Sequence, residues 1–203
     1  MFVCNIFNFK ENLKYTMDKI FRLIVGRCRK ILKVRNLPKD LLCKIFEGLI
    51  LDLNYGWFKL EELIEEKLPG TFQDESSLKM FEEFGFRQAK RLKKILNVSG
   101  TTVDDMVKLL RHSHWAFFEN IEIFDLKEKN FRVRTIDCSL QKALKRKGKE
   151  YHDCRISGLK TREGFFKAIN PRVKVQRIFS PPEPKPKNIP ENVSCEWLIF
   201  VEE

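Results

Sequence analysis

The sequence lacks the features that mark several large classes of protein. Lys and Arg interrupt every apolar run before it reaches the roughly 18 residues that a membrane-spanning helix needs. The chain shows no secretory signal, and its six cysteines are too sparse for a small disulfide scaffold. We therefore expect a cytoplasmic protein with reduced thiols and no transmembrane segment.

Common motifs of nucleotide and hydrolase chemistry are also missing. The chain contains no G-x-G-x-x-G, no G-x-x-x-x-G-K-S/T, no H-E-x-x-H and no G-x-S-x-G pattern. It has no C-x-x-C pair either, which excludes the compact zinc motifs built on that spacing. Nucleotide-dependent transfer and serine hydrolysis are therefore poor candidates.

What the chain does contain predicts a folded domain with a basic N-terminal extension. Its 203 residues are 43% hydrophobic and 33% charged, which suits a packed core with a solvated exterior. Apolar residues at helical spacing from Ile20 to Ile31 alternate with Lys and Arg, so residues 1–36 are expected to carry a basic amphipathic helix. Residues 37–203 are expected to form a single domain, helical over 37–112 and β-rich over 113–203.

Helical periodicity dominates the front half. One long helix, or two nearly collinear helices with Gly56 as the weak point, is predicted from near Pro38, with one apolar stripe to Leu68. A further helix is predicted over 76–96. Thr102 followed by Asp105 predicts a capping box that opens a third helix.

The back half changes to strand periodicity. Alternation over 131–136 after a polar turn predicts a β-hairpin, and further strands are predicted over 173–179 and 195–201. Short helices are predicted over 139–147 and 161–169. Helices followed by mostly antiparallel strands predict an α+β fold, with an N-terminal helical layer packed on a C-terminal sheet.

The side chains suited to chemistry are concentrated after residue 111. All three histidines and three of the six cysteines lie there: His112, His114, His152, Cys138, Cys154 and Cys195. Thiolate and imidazole are the usual ligands of zinc, so Cys138, Cys154, Cys195 and His152 form a candidate zinc set. Their spacing matches no compact zinc motif, and buried inert cysteines are the alternative interpretation.

A second candidate site lies where the helices give way to strands. His114 and Trp115, followed by Glu119, could line a pocket in which the indole supplies an apolar wall and the imidazole moves a proton. The alternative is an aromatic core cluster with His112 exposed.

The last predicted strand places neighbouring residues on opposite faces. Cys195 and Trp197 share one face, and Glu196 points the other way. If the first face is core, Glu196 is expected to be exposed, whereas a Glu196 turned inward towards Arg132 or Arg134 would be a paired carboxylate with a functional role.

The net charge of +11 would attract anionic partners. Basic residues cluster over 10–35, 87–94 and 142–149. Solvated helix faces are the favoured interpretation of the last two clusters. Nucleic-acid binding through basic helices stays an alternative that we do not favour, because aromatic residues are not interleaved with the basic runs.

Several segments, most of them in the back half, resemble those of one family. They are His114-Trp115, Cys138, Cys154, GFFKAINPR at 164–172, PPEP at 181–184 and Cys195-Glu196-Trp197. With NYGW at 54–57 and RLKK at 91–94, they make residues 41–197 resemble an uncharacterised family of small prokaryotic cytosolic proteins. That family is grouped with L-2-amino-thiazoline-4-carboxylic acid hydrolase-like proteins. The cysteine-containing C-terminal strand is more distantly similar to vinyl-4-reductase-type ligand-binding domains.

The resemblance implies a small-molecule pocket between the helices and the sheet. A hydrolase acting on a small cyclic amide or amidine would use His114 and Cys154 as catalytic groups. A non-catalytic ligand-binding or sensor domain, with zinc as its structural metal, is the alternative. Trp115, Glu119 and Trp197 are the candidate ligand contacts, and a homodimer is a further expectation.

This chain departs from that family at one position. The family often carries another cysteine just before the paired prolines, where Phe179 and Ser180 stand here. The departure weakens the expectation of a shared metal site.

Overall fold

The computed structural model describes residues 37–148 and 151–202. The chain divides into two compact units, residues 1–63 and 64–203. The predicted basic helix within residues 1–36 lies outside the described residues. The domain boundary expected at residue 36 stays a prediction.

Six α-helices lie within the described residues. They are α1 (Lys39–Lys67), α2 (Glu75–Ile95), α3 (Val103–Leu110), α4 (His114–Phe118), α5 (Ser139–Arg146) and α6 (Ser157–Lys167), with a short 3-10 helix at Thr71–Gln73. The capping box predicted for α3 is confirmed, because the Thr102 side chain accepts from the Asp105 amide and the Asp105 carboxylate accepts from the Thr102 amide. Helix α6 begins four residues before the predicted start.

Four strands form one antiparallel sheet. They are β1 (Asn120–Phe124), β2 (Asn130–Ile136), β3 (Val173–Phe179) and β4 (Val193–Val201), in the order β1-β2-β4-β3. The predicted hairpin is confirmed as β1 and β2, and β4 begins two residues before its predicted start. The fold is therefore α+β, as predicted, with helices first and the sheet towards the C-terminus.

The sheet buries one face against the helices. Phe131, Val133, Cys195, Trp197 and Ile199 point to this inner face, and each is at most 9% exposed. They pack with buried side chains of α2, α3, α4 and α6 in one apolar cluster. The alternation of buried and part-exposed residues along β2 is the period-2 pattern that predicted the strand.

Helix α6 lies deep in this unit because glycines let it approach α2 closely. A Cβ on Gly164 would come within 1.9 Å of the Glu82 carbonyl oxygen, and one on Gly85 within 2.0 Å of the Thr161 carbonyl oxygen. The two backbones therefore meet with no room for a side chain at either crossing point. This contact buries five residues of α6: Thr161, Arg162, Gly164, Phe165 and Phe166.

Helix α1 exposes many large apolar side chains. None of its residues is buried, and Leu53 is 74% exposed. The part of the chain that the structure describes has no helix with the length and apolarity to cross a membrane.

Candidate functional site

One group of side chains brings together most of the residues singled out from the sequence. We call it the interior cluster, and it comprises Trp115, Glu119, Thr135, Cys138, Cys154, Arg162, Cys195 and Trp197. These residues come from α4, β2, α6, β4 and the segments that flank α5. The cluster lies on the inner face of the sheet.

Arg162 occupies the middle of the interior cluster. It is 7% exposed, and its guanidinium carbon lies 4.7 Å from the ring centre of Trp115 and 4.3 Å from that of Trp197. A guanidinium over an indole face is attracted by the ring quadrupole. Its Nη1 donates to the Gly158 carbonyl oxygen at 3.2 Å. Arg162 thus enters the core as a cation between two tryptophans.

The carboxyl group of Glu119 lies near enough to Arg162 for their charges to interact. Its Oε2 accepts a hydrogen bond from Thr135 Oγ1 at 2.8 Å. The residue is half-buried by its exposed surface, and protein atoms surround the carboxyl group on most sides. Burial raises the pKa of Glu119, while the charge of Arg162 and the Thr135 hydrogen bond oppose that rise. Glu119 and Arg162 do not form an ion pair within the described residues.

The three late cysteines lie within electrostatic reach of one another. Burial raises the pKa of Cys138 to about 11, with a further contribution from Glu119. Burial is also the largest cause of the raised pKa of Cys154, followed by Cys195 and Cys138. Trp197 Nε1 donates to Cys195 Sγ at 3.2 Å. At neutral pH the Cys138 and Cys154 thiols are therefore protonated and poor nucleophiles.

Gln141 of α5 holds Cys154 in place. Its Nε2 donates to the His152 carbonyl oxygen at 2.9 Å, and its Oε1 accepts from the His152 amide at 3.0 Å. The same Nε2 lies 3.5 Å from Cys154 Sγ. The Cys154 amide donates to the Pro181 carbonyl oxygen at 3.1 Å. One glutamine and one loop thus fix the thiol against the sheet.

The ring of His114 packs against the indole of Trp115. The two ring centres are 4.2 Å apart, and His114 Nδ1 is 2.8 Å from Gln88 Oε1. Burial lowers the pKa of His114 to about 3, with a smaller contribution from the charge of Arg162. The ring is therefore neutral at physiological pH. His112, by contrast, is exposed, as the aromatic-core interpretation expected.

The candidate zinc set gains no geometric support. Among residues 37–148 and 151–202, no three His, Cys, Asp or Glu side chains are grouped closely enough to hold a metal ion. His152 contributes its backbone to Gln141, and burial lowers the pKa of its ring. Zinc binding by Cys138, Cys154, Cys195 and His152 stays a prediction from the sequence.

The expectation that Glu196 is exposed is wrong. Cys195 and Trp197 face the core as predicted, yet Glu196 on the opposite face is 0% exposed. Its Oε2 accepts from Arg134 Nε at 2.8 Å, and its Oε1 lies 3.0 Å from Arg132 Nη1 without hydrogen-bond geometry. The expected exposure is wrong because the two long arginine side chains cover the carboxylate. The carboxylate is paired with both arginines, as the alternative expected, but it lies on the outer face and is not turned inward.

The outer face of the sheet also carries an open cleft of about 630 Å³. Its lining residues are Asp125, Lys127, Asn130, Arg132, Gln176, Leu198 and Phe200. The cleft is on the opposite side of the sheet from the interior cluster, so it is not the pocket expected beside Trp115.

Sequence reasoning missed the central residue of the interior cluster. Arg162 sits in a predicted short helix, where an arginine ordinarily points to solvent. Gly158 and Gly164 were the available signal, since small residues on a helix mark a face that other groups approach closely. Thr135 and Gln141 were also missed, and each acts by positioning a residue that had been singled out.

Comparisons with known proteins give the chain a family. No curated protein matches it significantly. A solved structure of trafficking protein particle complex subunit 3 from Naegleria fowleri, covalently bound to palmitic acid, shares 12% sequence identity. That alignment covers 79% of this chain and 97% of the other, with a TM-score of 0.47. Residues 56–201, which contain the whole interior cluster, match the profile of a family of unknown function (DUF6125), and the chain belongs to that family.

Proposed function

We propose that this chain is a small-molecule-binding domain. Its ligand binds in the interior cluster and is released without being chemically converted. The observation that carries the proposal is the environment of Arg162. Two indole rings have their centres 4.7 and 4.3 Å from its guanidinium carbon, and only Nη1 has a protein hydrogen-bond partner among the described residues. An apolar wall with a few convergent polar groups is typical of small-molecule sites.

The protonation states of the cluster favour binding over turnover. A cysteine nucleophile acts as its thiolate, and burial raises the pKa of Cys154 away from the neutral range. A general base works best with a pKa near the operating pH, and that of His114 is lowered to about 3. The two groups expected to carry hydrolysis are thus both held neutral and weakly reactive. The hydrolase is therefore the less favoured alternative.

The three tryptophans allow a direct test of binding. We suggest titrating 15N-labelled full-length protein with acetate, acetamide, benzoate, benzamide, hexanoate and hexanamide while following the indole N–H signals. At least one of these probes should shift the signals of Trp115 and Trp197 saturably, while Trp57 of α1 acts as the internal control. If none of them moves Trp115 or Trp197 at millimolar concentration, the binding proposal is wrong.

A second measurement separates binding from catalysis. Incubation with L-2-amino-thiazoline-4-carboxylic acid, followed by mass spectrometry, should return the compound intact. A product heavier by one water molecule, formed by the wild type but not by Cys154→Ser or His114→Ala, would establish the hydrolase instead. The homodimer and the cytoplasmic location stay predictions from the sequence.

A further inference from the structure

The guanidinium of Arg162 is a buried cation without a protein counter-anion. It carries five N–H donors, and Nη1 reaches the Gly158 carbonyl oxygen. Within residues 37–148 and 151–202, Arg162 forms no ion pair, and Nε and Nη2 have no protein acceptor. Buried charges in proteins are ordinarily paired, because an unpaired charge loses its hydration without compensation. The arrangement therefore lacks an acceptor group.

The free donors of Arg162 are open to a water-sized molecule. Within the described residues, the fully enclosed side-chain nitrogen and oxygen atoms without a hydrogen-bond partner are Ser180 Oγ and Glu196 Oε1. Nε and Nη2 of Arg162 are not among them, although the residue as a whole is 7% exposed. The guanidinium carbon lies 4.7 Å from the ring centre of Trp115 and 4.3 Å from that of Trp197, so aromatic surface borders these donors.

We propose that the edge of the Arg162 guanidinium binds the carboxylate of a small organic acid. The inference rests on the proposed binding function and specifies its ligand class. The planar N–H fork of arginine matches a carboxylate in bidentate geometry, and charge-assisted hydrogen bonds of this kind are about twice as strong as neutral ones.

The charge balance of the cluster selects a monoanion. Arg162 is the cation of the cluster, and Glu119 is near enough for the two charges to influence each other. The single positive charge of Arg162 matches a ligand with a single negative charge, which the Glu119 carboxyl opposes, whereas a phosphate dianion would require further cations. The indoles of Trp115 and Trp197 then provide apolar surface for the rest of the acid.

Matched charged and neutral probes test this inference. Benzoate and benzamide have nearly the same shape, as do hexanoate and hexanamide, so their affinity ratios isolate the effect of the carboxylate. We expect the wild type to prefer the acid about tenfold to a hundredfold. Arg162→Met should abolish the preference, whereas Arg155→Met, which removes an exposed arginine paired with Asp153, should retain it.

Two more variants keep the test decisive if Arg162→Met does not fold. Arg162→Lys retains the charge but not the planar fork, so it should bind the acids more weakly than the wild type does. Glu119→Gln removes the competing negative charge and keeps an acceptor for Thr135, so it should bind the acids more tightly. A purely structural arginine would produce neither change.

The outcomes separate this inference from the proposed function. If the amides shift Trp115 and Trp197 as strongly as the acids do, the binding function stands and the carboxylate inference is wrong. If the acids are preferred but Arg162→Met leaves the preference intact, or Arg162→Lys binds the acids as tightly as the wild type does, another group recognises them, and the assignment to Arg162 fails. If no probe binds, the proposed function fails as well.

Discussion

The buried carboxylate on the outer face of the sheet offers the sharpest test of what stabilises this fold. Glu196 is 0% exposed and lies between Arg132 and Arg134, with N–O distances of 3.0 and 2.8 Å. In Glu196→Gln the side chain keeps its shape but loses its charge. Whichever way the new amide turns, its NH2 group faces an arginine N–H, so one donor is set against another.

The expected loss follows from the exposure of the two arginines. Breaking a fully buried ion pair by removing one partner costs about 3–5 kcal/mol, and a hydrogen bond to a charged group contributes about 1.5–3 kcal/mol. Arg132 and Arg134 keep 35% and 19% of their side-chain surface exposed, so water compensates part of the loss. We expect Glu196→Gln to lower the free energy of unfolding by about 3 kcal/mol.

Urea unfolding followed by far-ultraviolet circular dichroism measures this change. With an m-value of about 2 kcal/mol per molar, the midpoint should fall by about 1.5 M. Glu122→Gln is the matched control, because Glu122 is exposed and pairs across the strands with Arg134, so its midpoint should stay unchanged. If both variants unfold at the wild-type midpoint, the buried pair does not stabilise the protein, and the reasoning is refuted.

Three further predictions concern the helix crossing and the interior groups. Gly164→Ala should cost about 3 kcal/mol or more, since its Cβ would come within 1.9 Å of a backbone oxygen, whereas Gly56→Ala meets nothing within 4 Å and should stabilise α1 by about 1 kcal/mol. Thermal melts of both variants check this, and similar melting temperatures would contradict it. Iodoacetamide should modify the exposed Cys43 far faster than Cys154 in the native protein at neutral pH, because burial raises the pKa of the Cys154 thiol. Peptide mapping by mass spectrometry measures the two rates of modification. Equal rates in the native protein would show that the Cys154 thiol is not protected by burial. Burial lowers the pKa of His114 to about 3 from its ordinary 6.5, so as pH falls below 6.5 the unfolded chain binds a proton that the folded chain does not. This group should therefore lower the free energy of unfolding by up to about 1.4 kcal/mol for each pH unit. Urea unfolding of the wild type and of His114→Gln between about pH 7 and about pH 5 measures the effect. The free energy of unfolding should depend less steeply on pH in the variant, and equal dependence would contradict the prediction.

The fold was largely predictable because its local signals agree with its packing. Alternation over 131–136 marked a strand with one buried face, and the Thr102–Asp105 capping box marked the start of α3. Both signals act between neighbouring residues, so no tertiary information is needed to read them. The start of α6 was misplaced because Gly158 of its first turn lies close to Trp197 of β4, a contact with a residue far along the chain.

The candidate site was predictable only in part. Trp115, Glu119, Cys138, Cys154, Cys195 and Trp197 do gather in the interior cluster. Strand alternation was enough to place Cys195 and Trp197 on the buried face. Strand alternation could not identify Arg162 as their neighbour. Arginine is usually found at the surface, and only the tertiary packing shows that this one is buried.

Neighbouring residues of β4 meet arginine side chains in two opposite environments, one on each face of the sheet. Glu196 and Trp197 point to opposite sides of the sheet, and each lies against arginine side chains. On the outer face two arginines meet a carboxylate, so their charges are largely compensated within the fold. On the inner face Arg162 lies beside aromatic rings and donates to one carbonyl oxygen. Within the described part of the chain no carboxylate forms an ion pair with it, so the cost of burying its charge is not offset by such a pair. An apolar residue in place of Arg162 would remove that cost, so Arg162→Met should leave the ligand-free protein as stable as the wild type or more so. A marked loss of stability in a thermal melt would instead make Arg162 a structural residue, and the cluster would lose its strongest sign of a bound acid.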